Sequence, residues 1–267
     1  PFPLKALSRP GANISQGRNA AIAATSAETI AVTDAGVRLA SDWLEHLVAP
    51  LESAQAGGSR ADVVGGFYVS DPQSLFERAL GAVTLPRLEE IDAATFYPSS
   101  RSVAFRREAW VAVGGYPEWL DYCEDLVFDF ALRNAGYVFV FASGATVRFR
   151  PRPTLGAFLK QYYRYARGDG KADLWRYRHM LRYASYLVVG PGLVLLALSH
   201  HPAWWLGIGL GIAGLLWGPL RRALPALKEA GWMERLIMLA WVPLIRIAGD
   251  AAKMVAYPVV NKPFCAA

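Results

Sequence analysis

The last third of the chain limits its folding most. Residues 183–199 and 203–220 each run for roughly 17 residues without a charge, the length a helix needs to cross a bilayer. Between them lies Ser199-His200-His201-Pro202, a short turn without Lys or Arg. Arg176, Arg178 and Arg182 stand before the pair, and Arg221, Arg222 and Lys228 after it. That charge pattern describes a helical hairpin with both ends in the cytoplasm. Trp204, Trp205 and Trp217 lie near the ends, as interfacial anchors do. Two buried core helices are the alternative. Residues 236–260 form a third apolar stretch that carries Arg246, Asp250 and Lys253, with Pro243 placed to kink it. It reads as a further span whose polar residues face its neighbours, or as an interfacial helix.

The chain has 267 residues, is 54% hydrophobic and carries a net charge of +6. Mean hydropathy is +0.21. The apolar excess is concentrated beyond residue 183, whereas residues 1–180 have the composition of a soluble domain. Much of the positive surplus lies in Arg148, Arg150, Arg152, Lys160, Arg164, Arg167, Lys171, Arg176, Arg178 and Arg182. A basic cluster just before an apolar run is a cytoplasmic flank, and some of its arginines suit phosphates. No nucleic-acid-binding motif accompanies the charge, so nucleic acid is not expected as a partner. Cys123 and Cys265 make neither a disulfide framework nor a metal spacing, which points to a reducing compartment. No signal peptide is visible at the start. The chain opens on Pro1 in what reads as the middle of a domain, so an N-terminal segment is expected to precede it.

Residues 1–12 read as loop, 13–25 as a helix capped by Asn13 or Ser15, and 28–33 as a buried strand. A helix follows over 41–54. A strand over 62–69 contains Gly65-Gly66, a sign of close backbone approach. Helix 72–81, loop 86–98, strand 102–106 and helix 108–113 come next. Gly114-Gly115 ends the last of these. Helix 124–134 stops at Gly136. Two strands, 137–141 and 145–149, flank Ser143-Gly144. An amphipathic helix covers 154–167, and Arg167-Gly168-Asp169-Gly170-Lys171 reads as a flexible link. Alternating helices and strands give a layered α/β domain.

Four constellations carry chemistry. Asp34 ends a strand in Ala31-Val32-Thr33-Asp34-Ala35-Gly36. A carboxylate there faces the crevice where open α/β sheets bind ligands, and magnesium-like cations take one or two carboxylates plus substrate phosphates. A turn-capping Asp before Gly is the bland reading. Glu124-Asp125 opens a helix, where the positive helix end favours negative charge, after the turn Gly114-Gly115-Tyr116-Pro117. Pro98-Ser99-Ser100-Arg101-Ser102 either lines a donor or acceptor pocket or is a Ser-rich turn. Gln161-Tyr162-Tyr163-Arg164-Tyr165 pairs a fork-shaped cation with aromatics, which suits diphosphate oxygens and sugars, or else belongs to a juxtamembrane helix.

In order and spacing these motifs resemble the second half of an inverting family 2 glycosyltransferase of GT-A (Rossmann-like) fold, over residues 10–170. The resemblance implies an α/β, partial GT-A nucleotide-sugar transferase domain at 1–170 that lacks its first strands. A basic link at 171–182 and a membrane helical hairpin or three-helix segment at 183–260 follow. Asp125 is then the base that takes the acceptor's proton, and Glu124 holds the acceptor or positions the base. Asp34 matches the first Asp of an Asp-x-Asp that holds a divalent cation, magnesium or manganese. Gly36 stands where the second Asp would be, which puts the full metal set in doubt. Asn13-Ile14-Ser15-Gln16-Gly17-Arg18-Asn19 resembles the family's Asn-x-Gly-x-x-x-Ala-Arg-Asn run. Arg18 or Asn19 touches the nucleotide, or both hold the helix in place. Gln161, Arg164 and Tyr165 resemble the Gln-x-x-Arg-Trp of processive synthases, with Tyr165 for Trp, and so bind the acceptor end or the diphosphate. The implied partners are a nucleotide-sugar donor, a glycan or lipid-linked acceptor, and membrane lipids. The implied place is the cell's inner (plasma) membrane with a cytoplasmic catalytic domain. A degenerate membrane scaffold on the same fold is the alternative, and a transporter subunit a weaker third.

Overall fold

The computed structural model describes residues 3–53 and 60–259, so Cys265 lies outside the described residues. The chain divides into two compact units. Pro1–Val69 with Leu88–Phe149 form the first, and Ser70–Arg87 with Arg150–Ala267 form the second.

The first unit is mixed α/β. Its elements are α1 (Ile14–Ala23), β1 (Thr29–Val32), β2 (Val37–Leu39), α2 (Trp43–Glu52), β3 (Val63–Ser70), which runs on to the start of the second unit, β4 (Val103–Arg106), α4 (Arg107–Ala112), α5 (Glu124–Asn134) and β5 (Phe139–Phe149); α3 (Leu75–Thr84) lies in the second unit. The strands form one five-stranded sheet in the order β1-β4-β3-β5-β2. The β1–β4, β3–β4 and β2–β5 pairs are antiparallel, with Ile30 opposite Phe105 and Gly65 opposite Val103. Strand side chains alternate between faces, so neighbours in sequence enter different cores. Val63, Val103 and Phe105 pack with Ile22, Ala109, Tyr116, Phe128 and Leu132 on one face. Val64 and Ala104 pack with Trp43, Leu47, Leu51, Ala145 and Val147 on the other.

Gly66 marks the close approach expected in β3. A Cβ there would overlap the Ser102 hydroxyl and the Ala145 carbonyl oxygen, and one at Gly65 would lie 2.8 Å from the Phe96 ring. Two expectations are corrected, and one strand is added. The two strands around Ser143-Gly144 are one strand, β5, because Gly144 does not adopt the left-handed backbone a turn there would use. The strand over 28–33 is an edge strand in which only Ile30 is buried. The short strand β2 occupies residues to which the sequence assigned no element.

The second unit is helical, with α3, α6 (Leu155–Lys171), α7 (Arg176–Tyr183), α8 (Gly190–Ser199), α9 (Trp204–Glu229) and α10 (Trp232–Ala256). Ala79, Leu80 and Val83 of α3 share a core with Phe158 of α6, Ala223 and Leu227 of α9, and Met238, Val242 and Ile245 of α10. In this division Arg150 opens the longer segment of the second unit. The expected flexible link is helical instead: α6 runs on through Gly168 to Lys171, and a Cβ on Gly170 would lie 2.5 Å from the Tyr257 carbonyl oxygen. Helix α10 continues through Pro243. Among the described residues one helical run, Arg176–Ser199, is long and apolar enough to cross a membrane; it has 24 residues, mean hydropathy 1.6 and is 6% buried.

Candidate active site

Helix α1 starts with a reciprocal cap. The Gln16 amide donates to Asn13 Oδ1 at 2.9 Å, and the Asn13 amide donates to Gln16 Oε1 at 3.0 Å. About one and a half turns of helix then carry Arg18 and Asn19 toward the Gly-Gly-Tyr turn. Gly114 and Gly115 both have left-handed backbone, with φ of 77° and 79°. That turn wraps Asn19. The Tyr116 amide donates to Asn19 Oδ1 at 2.9 Å, Trp110 Nε1 donates to the same oxygen at 3.1 Å, and Asn19 Nδ2 donates to the Tyr116 carbonyl at 2.9 Å. A Cβ on Gly115 would sit 2.8 Å from Asn19 Oδ1. These bonds hold the helix against the turn.

Arg18 is the centre of the site. Its Nη2 donates to Asp34 Oδ1 at 2.5 Å and its Nη1 to Glu124 Oε1 at 2.6 Å. The guanidinium also lies 5.3 Å above the Tyr116 ring. The side chains of Arg18, Asp34 and Glu124 are 11%, 30% and 8% exposed. Asp34 sits past the end of β1, before the turn at Gly36 with φ of 84°. Glu124 and Asp125 form the first turn of α5, after Cys123 in left-handed backbone. Burial, and then the neighbouring Asp125, push the Glu124 carboxyl above the usual range, against the pull of Arg18. Asp125 is half-buried and its Oδ1 accepts from the Leu126 amide at 2.9 Å, which fixes its rotamer.

One turn further along α5, Asp129 is 2% exposed and its Oδ2 has no hydrogen-bond partner. Burial, and then Asp125, raise its pKa well above the usual aspartate range. The sequence pattern did not single out Asp129; its i, i+4 relation to Asp125 was the available signal.

Ser100 is taken into the core, where its hydroxyl lies 3.3 Å from the Tyr116 hydroxyl. Ser99 accepts from Arg101 Nη1 at 3.1 Å, and the Arg101 guanidinium lies 4.7 Å over the Phe149 ring. The Arg101 carbonyl accepts from the Thr33 hydroxyl at 2.9 Å, which ties this loop to the residue before Asp34. Gln161, Arg164 and Tyr165 lie on α6 in the second unit, and Gln161 Nε2 donates to the Tyr165 hydroxyl at 2.7 Å. That unit also buries Asp250 between Arg182 at 2.7 Å, Arg246 at 3.0 Å and the Tyr186 hydroxyl at 3.1 Å, so the polar residues of the third apolar stretch do face its neighbours.

The family model of the glycosyl transferase family group 2 matches residues 89–249. The chain belongs to that family. This family 2 chain is also 38% identical over 88 residues to the succinoglycan biosynthesis protein ExoA of Rhizobium meliloti (strain 1021). The match covers 32% of the chain and 26% of that relative, about a quarter of its length. Among solved structures, a mannosyltransferase of Pyrobaculum calidifontis, PcManGT, in complex with GDP-Man and Mn2+, is similar at TM-score 0.47 and 17% identity. That likeness spans 95% of the chain and 68% of the mannosyltransferase.

For a divalent cation the donor set is small. Asp34 offers one carboxylate, already ion-paired to Arg18, and Gly36 adds none. Among the described residues no group of three or more His, Cys, Asp and Glu could hold a metal ion. These side chains alone do not build a closed cation site; Asp34 offers one carboxylate, and a divalent cation there would draw its other ligands from substrate phosphates.

Proposed function

We propose that the chain moves a sugar from a nucleoside-diphosphate sugar to a hydroxyl of a lipid-linked or glycan acceptor, with inversion. The reaction takes place at the cytoplasmic face of the inner (plasma) membrane. The placement of Asp125 carries this reading: a half-buried, rotamer-fixed carboxylate at the positive end of α5, beside the Glu124–Arg18–Asp34 bridge. Asp125 removes the proton from the acceptor hydroxyl. That oxygen then attacks the anomeric carbon as its bond to the diphosphate oxygen breaks, and the nucleoside diphosphate leaves. Glu124 orients the base, and Asp34 with Arg18 serves the donor. Ser99 and Arg101 flank the donor side, while Ser100 supports Tyr116. Gln161, Arg164 and Tyr165 enter as acceptor or diphosphate contacts on the resemblance alone.

Residues 1–170 are the catalytic part in this reading, 171–182 the basic flank, and 183–260 the anchor. The run Arg176–Ser199, almost wholly unburied, supports the anchor. The name of the ExoA relative supports an acceptor in polysaccharide building. The leaving diphosphate needs a cation. The resemblance brings magnesium or manganese, whereas the single, already paired carboxylate favours a side chain.

The second reading, a degenerate membrane scaffold, is favoured by Gly36 and by the neutralised Asp34. A screen of nucleotide sugars for release of nucleoside diphosphate by the full-length protein in detergent separates the two. Release from one donor is the expected result; donor binding without release, from a folded protein given membrane acceptors, supports the scaffold.

A further inference from the structure

We propose that Arg18 is the resident cation of the donor site, so that this chain binds a nucleoside diphosphate without needing a divalent metal ion. The proposal rests on the transferase reading above. A departing diphosphate gathers negative charge, and preorganised cations or N–H dipoles aimed at it stabilise that charge. The position that would supply a second metal carboxylate is Gly36, with φ of 84° and no side chain. The remaining carboxylate, Asp34, already holds a guanidinium at 2.5 Å. A metal ion approaching Asp34 meets that like charge first.

Arg18 is itself built in and not a swinging surface residue. Its side chain is 11% exposed and pinned at both ends of its fork, by Asp34 and by Glu124. One face lies over Tyr116, and the helix that carries it is clamped one residue later by Asn19. A guanidinium has five N–H donors, and the two carboxylates take one each, so donors remain for phosphate oxygens in the planar geometry that suits them. Of the two carboxylates, Glu124 is the more buried, and burial and then Asp125 raise its pKa against the pull of Arg18.

Calorimetric titration of the full-length protein with UDP, GDP, dTDP and CDP, in EDTA and in excess magnesium or manganese, tests this. At least one diphosphate is expected to bind with Kd equal within about threefold in the two conditions. Arg18→Met is expected to weaken that binding by about tenfold or more in EDTA. Because Asp34 then loses its partner, manganese is expected to restore part of the loss. Arg18→Lys, which keeps the charge without the fork, serves if the Met variant does not fold. Wild-type binding that tightens about tenfold or more with metal overturns the role of Arg18 and leaves the transferase reading standing. No binding of any diphosphate in either condition removes the transferase reading, and this proposal with it.

Discussion

Asn19 separates a ligand contact from a structural clamp, because its hydrogen bonds are enumerable. Asn19→Ala removes the oxygen that accepts from the Tyr116 amide at 2.9 Å and from Trp110 Nε1 at 3.1 Å. It also removes the donor to the Tyr116 carbonyl at 2.9 Å. The further bond from Nδ2 to Glu118 Oε1 at 3.0 Å is exposed and adds little. Two N–H groups are stranded at a part-buried site, each costing about 1–2 kcal/mol, so the turn should lose about 2–4 kcal/mol. Native-state hydrogen exchange reads this locally: the Tyr116 amide should exchange about 30- to 900-fold faster, as that free energy requires. Asn19→Asp keeps the acceptor and loses the donor, so it should fall between wild type and Asn19→Ala. Exchange within about threefold of wild type, together with lost nucleotide binding, would refute the clamp and assign Asn19 to the ligand.

Other outcomes follow from the same geometry. Asp129 has a raised pKa in the folded state, so it keeps its proton where the unfolded chain has released it, and its contribution to stability declines as pH rises above the ordinary aspartate value. Asp129→Asn should therefore equal or exceed wild-type stability at neutral pH in thermal melts, with a difference that shrinks toward acid; a destabilised variant at neutral pH counts against a raised Asp129 pKa. Glu77 is fully buried and its pKa is lowered, first by its hydrogen bonds from Arg150 and against the effect of burial, so its contribution is present above the ordinary glutamate value and lost as pH falls through the folded one. Glu77→Gln should cost the α3 region about 1–3 kcal/mol by hydrogen exchange at neutral pH and less in acid. Gly66→Ala forces a Cβ onto the Ser102 hydroxyl, which holds Trp43 Nε1 at 2.8 Å, and onto the Ala145 carbonyl; a loss of about 1–3 kcal/mol by denaturant unfolding is expected, and no loss would mean that β3 and β5 part easily. Alkaline carbonate washing should leave the full-length protein in the membrane pellet, and its release would contradict the anchor.

Much of the first unit was legible because its signals are local. The Asn13 cap, the 3.6-residue spacing of α5 and its Gly136 stop fixed helices to within a residue or two. Gly65-Gly66 announced a close approach that the packing of Phe96 and Ser102 explains. What escaped was set by partners distant in sequence. Strand β2 exists because Val37–Leu39 pairs with Val147–Phe149, and three residues carry no period of their own. Residues 167–171 look flexible because of their glycines, yet Gly168 is buried, Gly170 is where the Tyr257 carbonyl comes close, and the helix persists. In the site, Glu124, Asp125 and Asp34 stood out by type and position. That Arg18 bridges two of them, over a sequence distance of 16 and 106 residues, is a tertiary fact. Ser100 looked like a pocket hydroxyl because sequence does not report which way a short polar side chain turns.

The central claim is that Asp125 is the base, and Asp125→Asn tests it most directly once a donor is known. Single-turnover transfer and donor titration on the same preparation should show the rate lowered by about 10²–10⁴-fold, with nucleoside diphosphate affinity within about threefold of wild type. A variant that transfers within about threefold of the wild-type rate would contradict the assignment and return Asp125 to the role of a helix cap.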